Sequence, residues 1–165
     1  MKTIKNAAVI FAFVLILLSC ADNEKVIGLK ENIHHDDFEY SVQKVEKTEW
    51  IENLKAKGMF YLVTFRLENR AKRVEHKWDN NTAYIIDENG NKFENMYEMQ
   101  LNLKRTIDFG LKEHYITAAG QSEETILVFD IPNNVRNPYL KVSGDFFMGD
   151  LFDGNQFKNT KIKLF

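Results

Sequence analysis

The chain has 165 residues, with 22 lysines and arginines against 24 aspartates and glutamates, for a net charge of −2. That balance exerts no global pull towards nucleic acid, and 13% aromatic content alongside Val, Ile and Leu points to a folded core rather than disorder. Cys20 is the only cysteine, which excludes an internal disulfide.

Residues 1–19 read as a signal peptide. Lys2 and Lys5 form a basic head, Ala7 to Leu18 are all apolar, and the small residues Ser19, Cys20 and Ala21 precede a polar stretch that begins at Asp22. A transmembrane span needs roughly 20 apolar residues, and the run from Ala7 to Leu18 falls well short. Leu17-Leu18-Ser19-Cys20 resembles the lipobox of bacterial lipoproteins, with Leu18 where a smaller residue is common. The resemblance implies cleavage before Cys20, lipid on its thiol and amine, and a membrane as partner. The alternative is ordinary cleavage that leaves Cys20 a spare thiol; acylation accounts for both its presence and its isolation. One acyl chain anchors only marginally, whereas the two or three implied here hold durably. Loss of the leader removes two basic residues and no acid. What remains is a mildly acidic chain of a size suited to one domain with a sizeable core.

Residues 20–37 are mostly polar, with Val26, Ile27, Leu29 and Ile33 scattered among them. They read as the lipidated cysteine and a flexible tether, reaching on the order of 50 Å when extended. His34-His35-Asp36-Asp37 is the most metal-like cluster in the chain. Neighbouring side chains of an extended chain point to opposite faces, so His34 and His35 are poorly placed to share an ion. The stretch reads as a solvated approach to the first strand.

Residues 38–165 form the domain. Phe38, Tyr40 and Val42 alternate with polar residues and Val45 falls out of phase, which predicts a half-buried strand with a bulge. Lys47 to Gly58 reads as a loop or short helical turn, with Trp50 a core or rim plug. Met59 to Leu67 is the strongest strand: Met59, Tyr61, Val63, Phe65 and Leu67 face the core, and Phe60, Leu62, Thr64 and Arg66 the other side. Asn69 to Asn81, with Arg70, Lys72, Arg73 and Lys77, reads as a solvated loop. Thr82 to Ile86 and Lys92-Phe93 are strands joined by an Asp-Glu-Asn-Gly-Asn turn. Asn95 to Lys104 is a helical turn or an irregular crossover. A strand is expected near Tyr115. Ser122 to Ile131 is the second strong strand, with Thr125, Leu127, Phe129 and Ile131 on one face, and Pro132 stops it. Tyr139 to Val142 and Thr160 to Phe165 complete the set. Lys161 and Lys163 point outwards, where they would discourage edge-to-edge pairing.

Many short strands with two half-apolar faces predict an all-β fold, an antiparallel β-sandwich. The ordered series Met59 to Asn69, Ile86 to Phe93, Gly120, and Leu127 to Pro132 resembles the telokin-like immunoglobulin-fold domain of bacterial secreted proteins and lipoproteins. That family shows a strand ending in Asn, an Asp-x-x-Gly-x-x-aromatic hairpin, a Gly turn and a strand ending Phe-Asp-x-Pro. The resemblance implies an immunoglobulin-like sandwich outside the cytoplasm, and it carries no settled activity or cofactor.

The sequence contains no Gly-x-Ser-x-Gly elbow and no phosphate-cradling glycine loop. Asp145, Asp150 and Asp153 form an acidic loop with calcium-like chemistry, but their spacing does not match an EF-hand. Phe146, Phe147, Met148 and Phe152 are the candidate surface for a protein partner, against the plainer reading of a core strand and covering loop. The sequence therefore points to a lipid-anchored, non-enzymatic binding or scaffolding module of the bacterial envelope. The alternative is an envelope enzyme or metal-binding domain that uses His34 and His35 or the Asp145–Asp153 cluster.

Overall fold

The computed structural model describes residues 24–106, 111–143 and 156–165. The strands in chain order begin with β1 (Lys25–Ile27), β2 (Ile33–His35), β3 (Phe38–Ile51), β4 (Leu54–Asn69), β5 (His76–Asp79), β6 (Ala83–Ile86) and β7 (Lys92–Phe93). Helix α1 (Tyr97–Thr106) follows, then β8 (His114–Thr117), β9 (Ser122–Ile131), β10 (Tyr139–Val142), the short helix α2 (Gln156–Asn159) and β11 (Thr160–Lys163). A four-stranded sheet, β2-β3-β4-β9, packs against a five-stranded sheet, β1-β11-β10-β6-β7, and β5 pairs with β8 as a separate ribbon. The expected β-sandwich is the observed fold. No helix among the described residues is long and apolar enough to cross a membrane.

The β3–β4 hairpin is the longest unit. Its apolar alternation is interrupted by a register shift between Val42 and Lys44, where the sequence predicts a bulge, and by another between Thr48 and Trp50. The segment expected as a loop, Lys47 to Gly58, is the tip of this hairpin. Ile51 pairs with Leu54 across a two-residue turn in which Glu52 adopts φ 50°. Trp50 lies on that tip and is 51% exposed, so it is not a core plug. The 87–91 turn forms as expected, because the Asp87 carboxylate accepts the Asn89 and Asn91 backbone N–H groups, both at 2.8 Å, and the Asn91 side chain at 2.7 Å. These donors, the Asn91 side chain foremost, hold the Asp87 carboxyl below its usual range.

Between the sheets, Tyr61, Val63, Phe65 and Leu67 of β4 and Leu127, Phe129 and Ile131 of β9 meet Ile85, Leu140, Ile162 and Leu164. The other face of β4 and β9 is also covered. Phe60 and Val128 pack with Leu103 of α1, and Met96 and Met99 close in around them. The helix-or-crossover at 95–104 is thus a helix lying on the sandwich as a partial third layer. The β5–β8 ribbon enters the core through Trp78, which stacks on its cross-strand partner Tyr115 at 4.1 Å and donates from Nε1 to Thr117 Oγ1 at 2.9 Å.

Two expectations require correction. The stretch 20–37 is not a tether throughout: β1 pairs in parallel with β11, and β2 with β3. Ile27 and Ile33 are buried in the main core, and this burial is the physical reason that the segment folds. Nor is β11 an edge strand, since it lies between β1 and β10. Its lysines therefore need a different account from edge protection.

Candidate functional site

Cys20, the partner-surface residues Phe146, Phe147, Met148 and Phe152, and the acids Asp145, Asp150 and Asp153 lie outside the described residues. Strand alternation in β2 separates the histidine pair. His34 is exposed, with Nδ1 3.0 Å from Glu39 Oε1, while His35 is buried and stacked on Phe157 at 3.8 Å. His35 is thus a core residue rather than part of a solvated approach. Among the described residues, no three His, Cys, Asp or Glu side chains group as a metal site.

The basic stretch 69–81 is built into the fold rather than left as a solvated loop. Glu39 and Glu68 are cross-strand partners, an arrangement that destabilises when both carry charge. Arg70 bridges them, with Nη1 2.7 Å from Glu39 and Nε 3.1 Å from Glu68. Further along, Lys77 lies 3.6 Å from Glu75, and Trp78 is buried.

His76 is half-buried among aromatic rings. Phe38 stacks on it at 3.9 Å, and Tyr40 Oη lies 3.0 Å from its Nε2. Burial, with a smaller contribution from nearby His35, holds the His76 pKa below its usual 6.5. Burial also pushes the Tyr40 phenol far above its usual range, so Tyr40 keeps its proton and stays a neutral partner to Nε2. The folded state therefore favours neutral His76, whereas the unfolded chain takes up the proton readily below pH 6.5. The stabilisation is complete above 6.5 and is lost as pH falls from there through the depressed folded value. The expected result is a urea midpoint that drops on acidification below pH 6.5, with a smaller drop over the same window in His76→Gln.

The most distinctive surface is the outer face of the five-stranded sheet. Alternation there sends Tyr84 of β6, Tyr139 and Lys141 of β10, and Lys161 and Lys163 of β11 away from the core. Tyr84 is the cross-strand neighbour of Lys141, and Tyr139 that of Lys163. The Lys92 ammonium sits 4.5 Å from the Tyr84 ring centroid, and that of Lys161 4.4 Å from Tyr139. Glu24 reaches onto this face, hydrogen-bonded to Lys161 and 3.8 Å from Lys141. The Lys161 hydrogen bond holds Glu24 below the usual carboxylate range. A shallow pocket of about 440 Å³ opens beside Lys141. Tyr84, Lys92, Ser143 and Lys158 line it, with Val142 and Phe157 as its apolar wall. Two smaller clefts, of about 300 and 230 Å³, lie at Gly58–Asp130 and at Asn80–His114. Ammonium groups held over aromatic rings beside an open pocket suit the binding of an anionic group.

The model for a domain of unknown function, DUF4352, matches residues 27–151. The chain belongs to the DUF4352 family. Solved structures share its fold. The yjhA protein of Bacillus subtilis has a TM-score of 0.55 at 13% identity, covering 84% of this chain and 98% of its own. A conserved hypothetical protein from Bacillus anthracis gives 0.55 at 14% identity, with coverage of 72% and 91%. The secreted protein MPT63 of Mycobacterium tuberculosis gives 0.54 at 8%, with coverage of 73% and 90%. At these identities the likeness is one of fold. Among curated proteins, no sequence match was found. The DUF4352 match takes in Tyr84, Lys92, Tyr139 and Lys141, whereas Glu24, Lys158, Lys161 and Lys163 lie beyond its ends. The sequence offers one signal for this face, the Lys161/Lys163 alternation. The other lysines come from β7, β10 and α2 and are brought together only by the fold.

Proposed function

We propose that this DUF4352 protein is a lipid-anchored, extracytoplasmic binding or scaffolding module of a bacterial envelope, non-enzymatic, with its lipid on Cys20. The observation that carries the reading is Leu17-Leu18-Ser19-Cys20 at the end of a short apolar leader, a few residues before the first strand. The telokin-like motif series supports it, as does the fold shared with MPT63, which is described as a secreted protein. The pocket beside Lys141 presents ammonium groups and aromatic rings, and among the described residues its lining holds neither a carboxylate–histidine nor a hydroxyl–histidine pair. That chemistry suits holding an anion rather than breaking a bond.

Cells fed an alkyne fatty acid are expected to label the protein, and Cys20→Ser is expected to abolish the label and leave the leader attached. A purified chain that keeps residues 1–19, or that starts at residue 20 with an unmodified thiol by intact mass, overturns the reading.

A further inference from the structure

We infer that the outer face of the five-stranded sheet is a second membrane contact, and that the pocket beside Lys141 takes the anionic headgroup of a phospholipid. The inference extends the anchor reading and rests on it for orientation. Glu24, immediately before β1, is bound on this face through Lys161 and Lys141. Cys20 precedes it by four positions, a reach of roughly 14 Å at full extension. A chain lipidated at Cys20 therefore enters the domain on the lysine side, and no long spacer holds that side away from the bilayer.

Charge points the same way. The chain is net acidic, yet Lys92, Lys141, Lys158, Lys161 and Lys163 gather around one face. Among the carboxylates of the described residues, Glu24 opposes Lys141 and Lys161, and Glu94 lies 3.1 Å from Lys92. Tyr84 and Tyr139 stand among the ammonium groups; such rings, apolar with a polar tip, suit the headgroup layer. A pocket of about 440 Å³ accommodates a phosphate with its glycerol. Basic residues beside a lipid anchor supply the second signal that makes attachment stable.

The test uses the chain from residue 20 onward with Cys20→Ser, which contains every strand of both sheets and carries no acyl group. It is expected to co-sediment at low salt with phosphatidylcholine vesicles containing phosphatidylglycerol, and not with phosphatidylcholine alone. Each lysine near an anionic surface contributes about a fivefold change in partitioning, so Lys92→Gln/Lys158→Gln/Lys163→Gln is expected to weaken binding on the order of 100-fold. The same charge change placed elsewhere, Lys44→Gln/Lys57→Gln/Lys72→Gln, is expected to leave most of the binding. Soluble glycerol phosphate is expected to compete poorly, which separates a headgroup in a membrane from a free anion. Absence of binding to anionic vesicles, equal binding to neutral ones, or equal loss in the two triple variants overturns the inference. None of these outcomes involves the thiol, so each is distinguishable from failure of the fatty-acid labelling.

Discussion

Phe65→Ala is expected to cost about 3–5 kcal/mol, read as a fall in the urea midpoint with little change in slope. Phe65 is 0% exposed at the centre of β4, and its ring faces Tyr40 and Trp78, each with centroids 6.1 Å away. It therefore ties its own sheet, through Tyr40 of β3, to the β5–β8 ribbon, through Trp78. Truncation leaves a cavity that neither neighbour can fill without giving up its own partner: Tyr40 is hydrogen-bonded to His76, and Trp78 to Thr117. Domains of this kind are stable by about 5–15 kcal/mol, so one side chain represents a large share. Trp50→Ala, on the exposed hairpin tip, supplies the contrast, with an expected change within about 0.5 kcal/mol. Comparable losses from the two variants would mean that the sandwich interior is not where the stability resides.

Gly58→Ala is expected to be nearly as damaging although it adds a single methyl. A Cβ at Gly58 would lie 2.1 Å from the Ile131 carbonyl oxygen and 2.7 Å from Pro132 Cα. The obstacle is backbone, so no rotamer change relieves it. β4 comes this close to the end of β9 because the Asp130 carboxylate accepts the Lys57 and Gly58 N–H groups at 2.8 and 2.9 Å. Separating the strands removes those bonds and strains the Met59–Ile131 pairing beside them. The expected cost is about 3 kcal/mol, the upper end for overpacking, with faster amide exchange at residues 57 and 58. Gly120→Ala has open space around it but a φ of 74°, so its cost of about 1 kcal/mol reflects conformation alone. A Gly58→Ala variant as stable as the parent would show that β4 and β9 are not clamped at this point.

The long strands β4 and β9 were legible because their apolar residues alternate over enough positions to fix both the strand and its faces. Phe60 and Val128 are the instructive pair. They are apolar on the face turned away from the main core, and α1, which the sequence left as a helical turn or an irregular crossover, covers them. The short strands β1 and β2 were not legible. Val26, Ile27 and Ile33 are too few to set a period, and β1 is paired with residues 160–162 at the far end of the chain. The β5 strand was hidden by the charges around Trp78, which interact with neighbours on their own surface. The lysine face is a property of the sheet order: β6, β7, β10 and β11 each contribute one or two side chains, and no window of sequence holds them together.

The parallel pairing of β1 with β11 also sets a schedule. On a ribosome the N-terminal end emerges first, and β1 then waits until residues 160–162 arrive for its partner. The β3–β4 hairpin, whose contacts are local, can form early; the five-stranded sheet cannot close until Thr160–Lys163 is delivered, since loop closure over that separation must precede any pairing gain. A nascent chain stalled just short of residue 160 would hold a finished half and an open one.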